Sequence, residues 1–315
     1  MPYRRKGVSR SSSPPVGSGN GLLSQPRESD PRGAMLVLLG ALCFSTSGTA
    51  QAFAPEGATP YVVGALRMQV AALALLVWCA CRGRLPHLAD WPLRWMLPAA
   101  LGLVAFQVCF FKGVQLAGVA VGTVVAIGFS PLVAALLAWA VLGERPALLW
   151  YPSTALALAG LVCLNLGDGT SADWQRLLLP LAAGAGYACY FVFSKPLGVR
   201  FTPDSIMLVL CGLSGILLLP MLLLFPVGWL ASAAGTGTAL YLGVVTAALA
   251  FSLTTAGLAS TPAATAATLA LAEPLAAACW GIFLLGEEVS TTDVCGIGLL
   301  VLGVALLAFA RPRTD

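Results

Sequence analysis

The sequence predicts an all-α integral membrane protein with ten transmembrane helices in two inverted five-helix repeats. The first observation is composition: the 315 residues are 58% hydrophobic and only 10% charged, with a mean hydropathy of +0.89. Soluble domains carry roughly 25% charged residues, so this chain cannot cover a water-facing surface of its own size. The second is a series of apolar runs that match the roughly 20 residues of a bilayer-spanning helix. The third is a motif that recurs at a fixed spacing.

Residues 1–33 differ from the rest, because they are rich in Pro, Gly, Ser and Arg and predict a disordered tail. The segment has no acidic residue before Glu28, which is typical of an organellar transit peptide. A start codon placed too early, with Met35 nearer the true start, explains the segment equally well. The apolar stretch from Ala34 also resembles a secretory signal, but its counterpart in the second half of the chain argues against cleavage.

Unbroken apolar runs predict helices rather than barrel strands, whose residues alternate between two faces. Ten such helices are predicted, at residues 34–54, 61–81, 93–111, 117–142, 148–166, 177–195, 205–225, 238–257, 263–285 and 292–310.

Lys and Arg in the loops predict the orientation. Fourteen lie on one side of the predicted bundle, whereas the other side has only Lys112 and Arg176. Since cytoplasmic loops carry the excess of basic residues, both termini are predicted to be cytoplasmic in the cell (inner) membrane.

A spacing of 143 residues relates the two halves of the chain. It joins three pairs: Glu144 and Glu287, Pro131 and Pro274, and Gly160 and Gly303. The two units, 34–166 and 177–310, have five predicted helices each. An odd number of helices makes the second unit enter the membrane upside down, which is the inverted repeat of many secondary transporters.

The motifs SPL…LGERP (130–146) and AEPL…LGEE (272–288), together with the ten helices, resemble the drug/metabolite transporters built from two EamA domains. The resemblance covers residues 34–310. It implies export or exchange of small polar metabolites, such as amino acids, across the cytoplasmic membrane. We therefore expect a secondary transporter for a small polar or amphipathic metabolite that is amino-acid-like or drug-like.

Glu273 is a candidate for binding substrate or a coupling ion. It lies near the middle of the ninth predicted helix, where a carboxyl group costs several kcal/mol unless it is neutral, paired or facing water. There it would suit a group that takes up and releases a proton in each cycle. The alternative is a protonated glutamic acid bonded to a neighbouring helix. Its repeat partner, Ser130, is a further candidate for binding substrate or a coupling ion, although the two halves differ chemically at this position.

Arg67 is the second charge inside an apolar run, about two turns into the second predicted helix. Three interpretations stay open: the side chain reaches the outer interface, pairs with Glu273, or binds a substrate carboxylate through its planar guanidinium.

Pro131 and Pro274 are predicted helix breaks, because an internal proline leaves the carbonyl four residues earlier without its donor. The carbonyls concerned belong to Ile127 and Ala270. Either they line a cavity between helices 4 and 9 together with Glu273, or each proline only kinks its helix. Tyr187 and Trp280 either face this cavity or serve in packing.

Glu144 and Glu287 follow the last apolar turns of helices 4 and 9, at opposite faces of the membrane. A carboxylate at a helix C-terminus opposes the helix dipole, so helix stability does not explain either residue. They are boundary residues in contact with solvent or a loop, or they are two halves of a gate.

The chemistry points to a carrier that works by alternating access, with proton coupling or uncoupled exchange both open. The chain has no phosphate-binding loop motif, which argues against an ATP-driven pump. A membrane-embedded lipid-modifying enzyme would need a catalytic cluster, and a passive pore is the other alternative. No cofactor and no nucleic-acid partner are expected, and the sole histidine, His87, excludes a histidine-rich metal site. The expected partners are a small-molecule substrate and the bilayer, and a homodimer is compatible with the sequence.

Overall fold

The computed structural model describes residues 31–87, 91–117, 119–163, 174–285 and 291–308. These ranges form helices and contain no β-strand. The α-helices are α1 (Pro31–Ala52), α2 (Pro60–Cys81), α3 (Leu93–Ala117), α4 (Val119–Leu137), α5 (Trp150–Cys163), α6 (Trp174–Ser194), α7 (Pro203–Leu224), α8 (Ala233–Gly243), α9 (Ala250–Leu258), α10 (Ala263–Leu269), α11 (Ala272–Leu285) and α12 (Thr291–Ala308). Residues 1–30 of the predicted tail lie outside the described residues, and α1 begins at Pro31.

The helices make ten membrane segments, or spans, within the described ranges. Seven are long and apolar enough to cross a bilayer, and three shorter apolar helices lie at the first, fifth and tenth positions. The eighth span joins α8 and α9 through a π-helical turn (Val244–Leu249), and the ninth consists of α10 and α11. Long apolar side chains such as Leu223, which is 80% exposed, cover the outer face of the bundle, as a lipid-facing surface requires. The predicted all-α membrane protein with ten helices is confirmed.

Several helix boundaries differ from the prediction. The third helix was expected to end at residue 111, but α3 continues through Lys112 to Ala117. A lysine can lie inside such a helix because its long aliphatic stem lets the ammonium group reach a polar region. The eighth span begins at Ala233 rather than residue 238, because the Ser232 hydroxyl accepts a hydrogen bond from Gly235 N at 3.0 Å and caps the helix.

The helices pack in pairs that the repeat relates to each other. The second span packs on the seventh and the fifth on the tenth, so each of these spans contacts its own repeat equivalent. The third span packs on the sixth as the eighth packs on the first.

Two glycines show the symmetry at atomic level. A Cβ atom on Gly160 would lie 2.6 Å from Gly296 O, and a Cβ atom on Gly303 would lie 2.6 Å from Ser153 O. Ser153 and Gly296 are themselves 143 residues apart, so each repeat makes the same backbone contact with the other. The inverted repeat predicted from the spacing is therefore present in the fold.

Candidate functional site

The Arg67 guanidinium is buried between the second and eighth spans. Arg67 is only 7% exposed, and its Nη2 donates a hydrogen bond to Thr246 O at 3.0 Å. Thr246 lies in the π-helical turn of the eighth span, and π turns leave carbonyls outside the regular α-helical pattern. Arg67 Nε is buried and has no hydrogen-bond partner among the described residues. The arginine is therefore held from one side and keeps a free donor.

Glu273 begins the second half of the broken ninth span. Leu271 N donates to Thr268 O at 3.0 Å and Glu273 N donates to Ala270 O at 2.9 Å, which closes tight turns where the helix changes direction. The carbonyl of Ala270, expected to be free, thus has a donor. Glu273 lies in the first turn of α11, where a carboxylate is stabilised by the helix dipole. Its half-buried carboxyl group has no hydrogen-bond donor or ion pair in the part of the chain that the structure describes.

Arg67, Glu273 and Tyr187 form the central site. Arg67 interacts electrostatically with Glu273 and Tyr187, yet the described residues contain no direct ion pair between the two charges. Tyr187 is 3% exposed and stacks on Phe106 with ring centroids 4.8 Å apart. Three of the five residues predicted for substrate or ion binding therefore lie within electrostatic range of one another, and they come from the second, sixth and ninth spans. The sequence predicts a site between helices 4 and 9, whereas these three residues come from three spans, of which only the ninth was expected.

Of the other predicted residues, Ser130 and Pro131 lie in the fourth span and Pro274 lies in the ninth. Ser130 is 1% exposed and its hydroxyl has no partner among the described residues. It precedes Pro131, and α4 runs through this proline without interruption, so the expected helix break is absent there. Pro274 instead occupies the first turn of α11, directly after the break at residues 270–271. A proline in a first turn lacks only a donor that has no helical partner in any case.

Glu144 joins three elements at one end of the bundle. Gly143, with φ +70°, ends the fourth span in a left-handed turn and places Glu144 beside the start of α10. One carboxylate oxygen accepts from Ala263 N at 3.0 Å, and the other forms an ion pair with Lys195. Lys195 Nζ also donates to Thr261 O at 2.9 Å. We call these contacts the Glu144 latch, because they fasten the fourth, sixth and ninth spans together. Glu287, the repeat equivalent, lies outside the described residues.

Trp280 lies at the opposite end of the ninth span. Its Nε1 donates to Ser45 Oγ at 2.9 Å, and its ring lines a cavity of about 480 Å³ between the first, eighth and ninth spans. We call this cavity the Trp280 groove. Its other walls include Ala50, Phe53 and Thr238.

Sequence reasoning missed Thr246 and the role of Lys195. The Thr246 group that matters is a backbone carbonyl, and no side-chain pattern marks it. Lys195 enters the sequence argument only as a loop charge, although its place at the end of the sixth span could have suggested a partner for Glu144.

Ten helices in inverted repeats, with a buried arginine and a half-buried glutamate from different spans at their centre, define a membrane transporter. Residues 31–166 and 175–309 both match the EamA-like transporter family, and the chain belongs to this family. It is a multi-pass integral membrane transporter.

Known proteins with similar sequences have transporter names. An uncharacterized transporter of Bacillus subtilis, YwfM, is 39% identical and aligns over 89% of this chain and 94% of its own. A probable terminal-alkyne amino-acid exporter of Streptantibioticus cattleyicolor is 29% identical over 59% of this chain and 62% of its own. A solved crystal structure, 20% identical, superposes with a TM-score of 0.75 over 87% of this chain and 96% of its own, which supports the fold alone.

Proposed function

We propose that the protein is a secondary carrier that exports or exchanges a small zwitterionic metabolite across the cytoplasmic membrane. The observation that supports this most is the central site, where the buried Arg67 keeps an unpaired Nε and the Glu273 carboxylate has no hydrogen-bond or ion-pair partner among the described residues. A substrate with its own carboxylate and ammonium groups would satisfy both charges at once. The amino-acid exporter named among the relatives supports the same substrate class.

Each residue of the site has a distinct task in this proposal. Arg67, fixed by the Thr246 carbonyl, offers its remaining donors to the substrate carboxylate. Glu273 accepts the substrate ammonium group, and Tyr187 forms an aromatic wall beside both. In the occupied site each charge has an oppositely charged partner, so the site can be enclosed by apolar helices at a lower electrostatic cost than an empty site with two unpaired charges.

The contacts at one end of the bundle support alternating access. The Glu144 latch closes the end that the positive-inside bias assigns to the cytoplasm. Its release would admit substrate from the cytoplasm, and its closure would commit the substrate to the other side. When no substrate is bound, a proton on Glu273 could replace the ammonium group, which makes proton-driven exchange the expected coupling.

The first test is metabolite profiling of the medium of cells that produce either the wild type or Glu273→Gln at equal membrane abundance. Glu56→Gln is the matched control, because Glu56 lies exposed in the loop between α1 and α2. We expect a small set of zwitterionic metabolites to accumulate outside with the wild type and the control only. Equal export by Glu273→Gln would refute the assignment of the site.

Counterflow in proteoliposomes then separates a carrier from a passive pore. Labelled substrate should accumulate transiently against its own gradient when unlabelled substrate is loaded inside. Simple equilibration without this overshoot would favour the pore. An imposed pH gradient should change the rate in the wild type if protons are coupled to transport.

A further inference from the structure

The Trp280 groove lies on the lipid-facing side of two spans. In α1, Met35, Leu39 and Leu42 are 53%, 42% and 45% exposed, and they follow one another at helical spacing. The same stripe continues through Thr46, which lines the groove, to Phe53, which is 71% exposed. The groove thus continues the surface of α1 that faces lipid.

The eighth span borders the groove in the same way. Tyr241 is 39% exposed and lines the groove, while its neighbours Leu240 and Val244 are 52% and 42% exposed. The mouth of the groove is therefore bordered by exposed apolar side chains on both spans.

The walls of the groove carry no charge, and most of their polar groups are already bonded. Trp280 Nε1 donates to Ser45 Oγ, and Tyr241 Oη donates to Thr46 Oγ1, both at 2.9 Å. Thr46 Oγ1 donates in turn to a main-chain carbonyl of its own helix at 2.8 Å. Apart from Thr238, no lining hydroxyl lacks a hydrogen bond among the described residues. Such walls select an apolar occupant.

The equivalent place in the other repeat is filled. Ala50 and Thr238 correspond, at the spacing of 143 residues, to Phe193 and Trp95. The rings of Trp95 and Phe193 pack against each other with centroids 6.1 Å apart. The groove is present where the side chains are the small Ala50 and Thr238, and the equivalent place is filled where they are the large Phe193 and Trp95.

We propose that the Trp280 groove is a binding site for one acyl chain of a membrane lipid. Apolar walls that are left without contacts lose dispersion energy, and the chains that border the mouth are the nearest apolar material. A bound chain would contact the first, eighth and ninth spans together and support α11, the helix that carries Glu273. The site is separate from the central site and needs no transported substrate.

Photolabelling tests the proposal. The protein is placed in vesicles of phosphatidylethanolamine and phosphatidylglycerol that contain a trace of phosphatidylcholine with a diazirine in its acyl chain. We expect labelling to be enriched at Thr46, Ala50 and Phe53 and at residues 237–241 relative to the rest of the lipid-facing surface. The double variant Ala50→Phe and Thr238→Trp, which copies the filled repeat, should lose this enrichment. Leu39→Phe, on the same stripe but outside the groove, should keep it.

The reverse change guards against a variant that fails to fold. Trp95→Thr together with Phe193→Ala builds the groove at the opposite end and should gain labelling there. Uniform labelling of all lipid-facing segments in the wild type, or unchanged enrichment in a folded filled variant, would overturn the proposal. Cross-linking of Phe53 to a second copy of the chain in place of lipid would also overturn it and would assign the groove to a homodimer.

Discussion

Removal of the Glu144 latch should make α10 open more often. The variant Glu144→Ala deletes the acceptor of Ala263 N and the ion-pair partner of Lys195. A hydrogen bond to a charged group contributes about 1.5–3 kcal/mol, and a partly exposed ion pair about 0–1 kcal/mol. Because the two side chains are 25% and 15% exposed, the ion pair is screened, and we expect a total loss of about 2 kcal/mol.

A loss of about 2 kcal/mol corresponds to a roughly 30-fold larger opening constant, since about 1.4 kcal/mol is a factor of ten. Hydrogen–deuterium exchange of the α10 amides (Ala263–Leu269) measures this constant directly when closing is faster than exchange. We expect their protection to fall by roughly the same factor, while the amides of α2 and α7 keep theirs. Glu144→Gln, which keeps an uncharged acceptor, should give an intermediate loss.

Lys195→Met completes a double-mutant cycle with Glu144→Ala. The effect of the double variant should be smaller than the sum of the single effects, because both remove the same ion pair. Glu56→Ala, in an exposed loop, is the control for a change in charge alone. Unchanged protection of α10 in Glu144→Ala, or strict additivity in the cycle, would show that the Glu144 latch does not stabilise α10.

Three further predictions concern packing and binding. Gly303→Ala places a Cβ atom against backbone and should lower the free energy of unfolding by about 1–3 kcal/mol in a denaturant titration, whereas Gly298→Ala, with open space at its Cβ, should be near neutral. Tyr190→Phe removes a 2.8 Å hydrogen bond to the Thr255 hydroxyl and should cost about 1 kcal/mol in the same titration; an unchanged midpoint would contradict this. Arg67→Lys loses the planar fork and should raise the KM for transport at unchanged membrane abundance, so wild-type kinetics would argue against carboxylate binding.

The number of helices could be predicted because a bilayer requires each spanning segment to be apolar along its whole length. The repeat could be predicted because glycines at close contacts and the LGE turn have strict backbone requirements. Gly143 needs a left-handed conformation, and Gly160 leaves no room for a side chain. Charges inside apolar runs also stand out, which is why Arg67 and Glu273 could be singled out before their spatial relation was known.

The break in the ninth span could not be predicted from its proline. Pro131 and Pro274 occupy the same position in the two repeats, but α4 is continuous and the ninth span is interrupted. The tertiary contacts of the ninth span are not marked by the proline either: the Trp150 indole donates to Thr268 Oγ1 at 3.0 Å and joins α10 to the fifth span. The π turn of the eighth span likewise has no marker in its sequence VVTAAL.

The reciprocal contact of Gly160 and Gly303 has a consequence for how such a chain can be assembled. The contact is isologous: the same surface patch meets its own copy across a two-fold axis, although both copies belong to one polypeptide. A single five-helix unit with this glycine could close the same interface with a second molecule inserted in the opposite orientation. In such a dimer one substitution would alter both sides together. Within one chain each side changes independently. The small Ala50 and the large Phe193, which occupy equivalent positions of the two repeats, are an example.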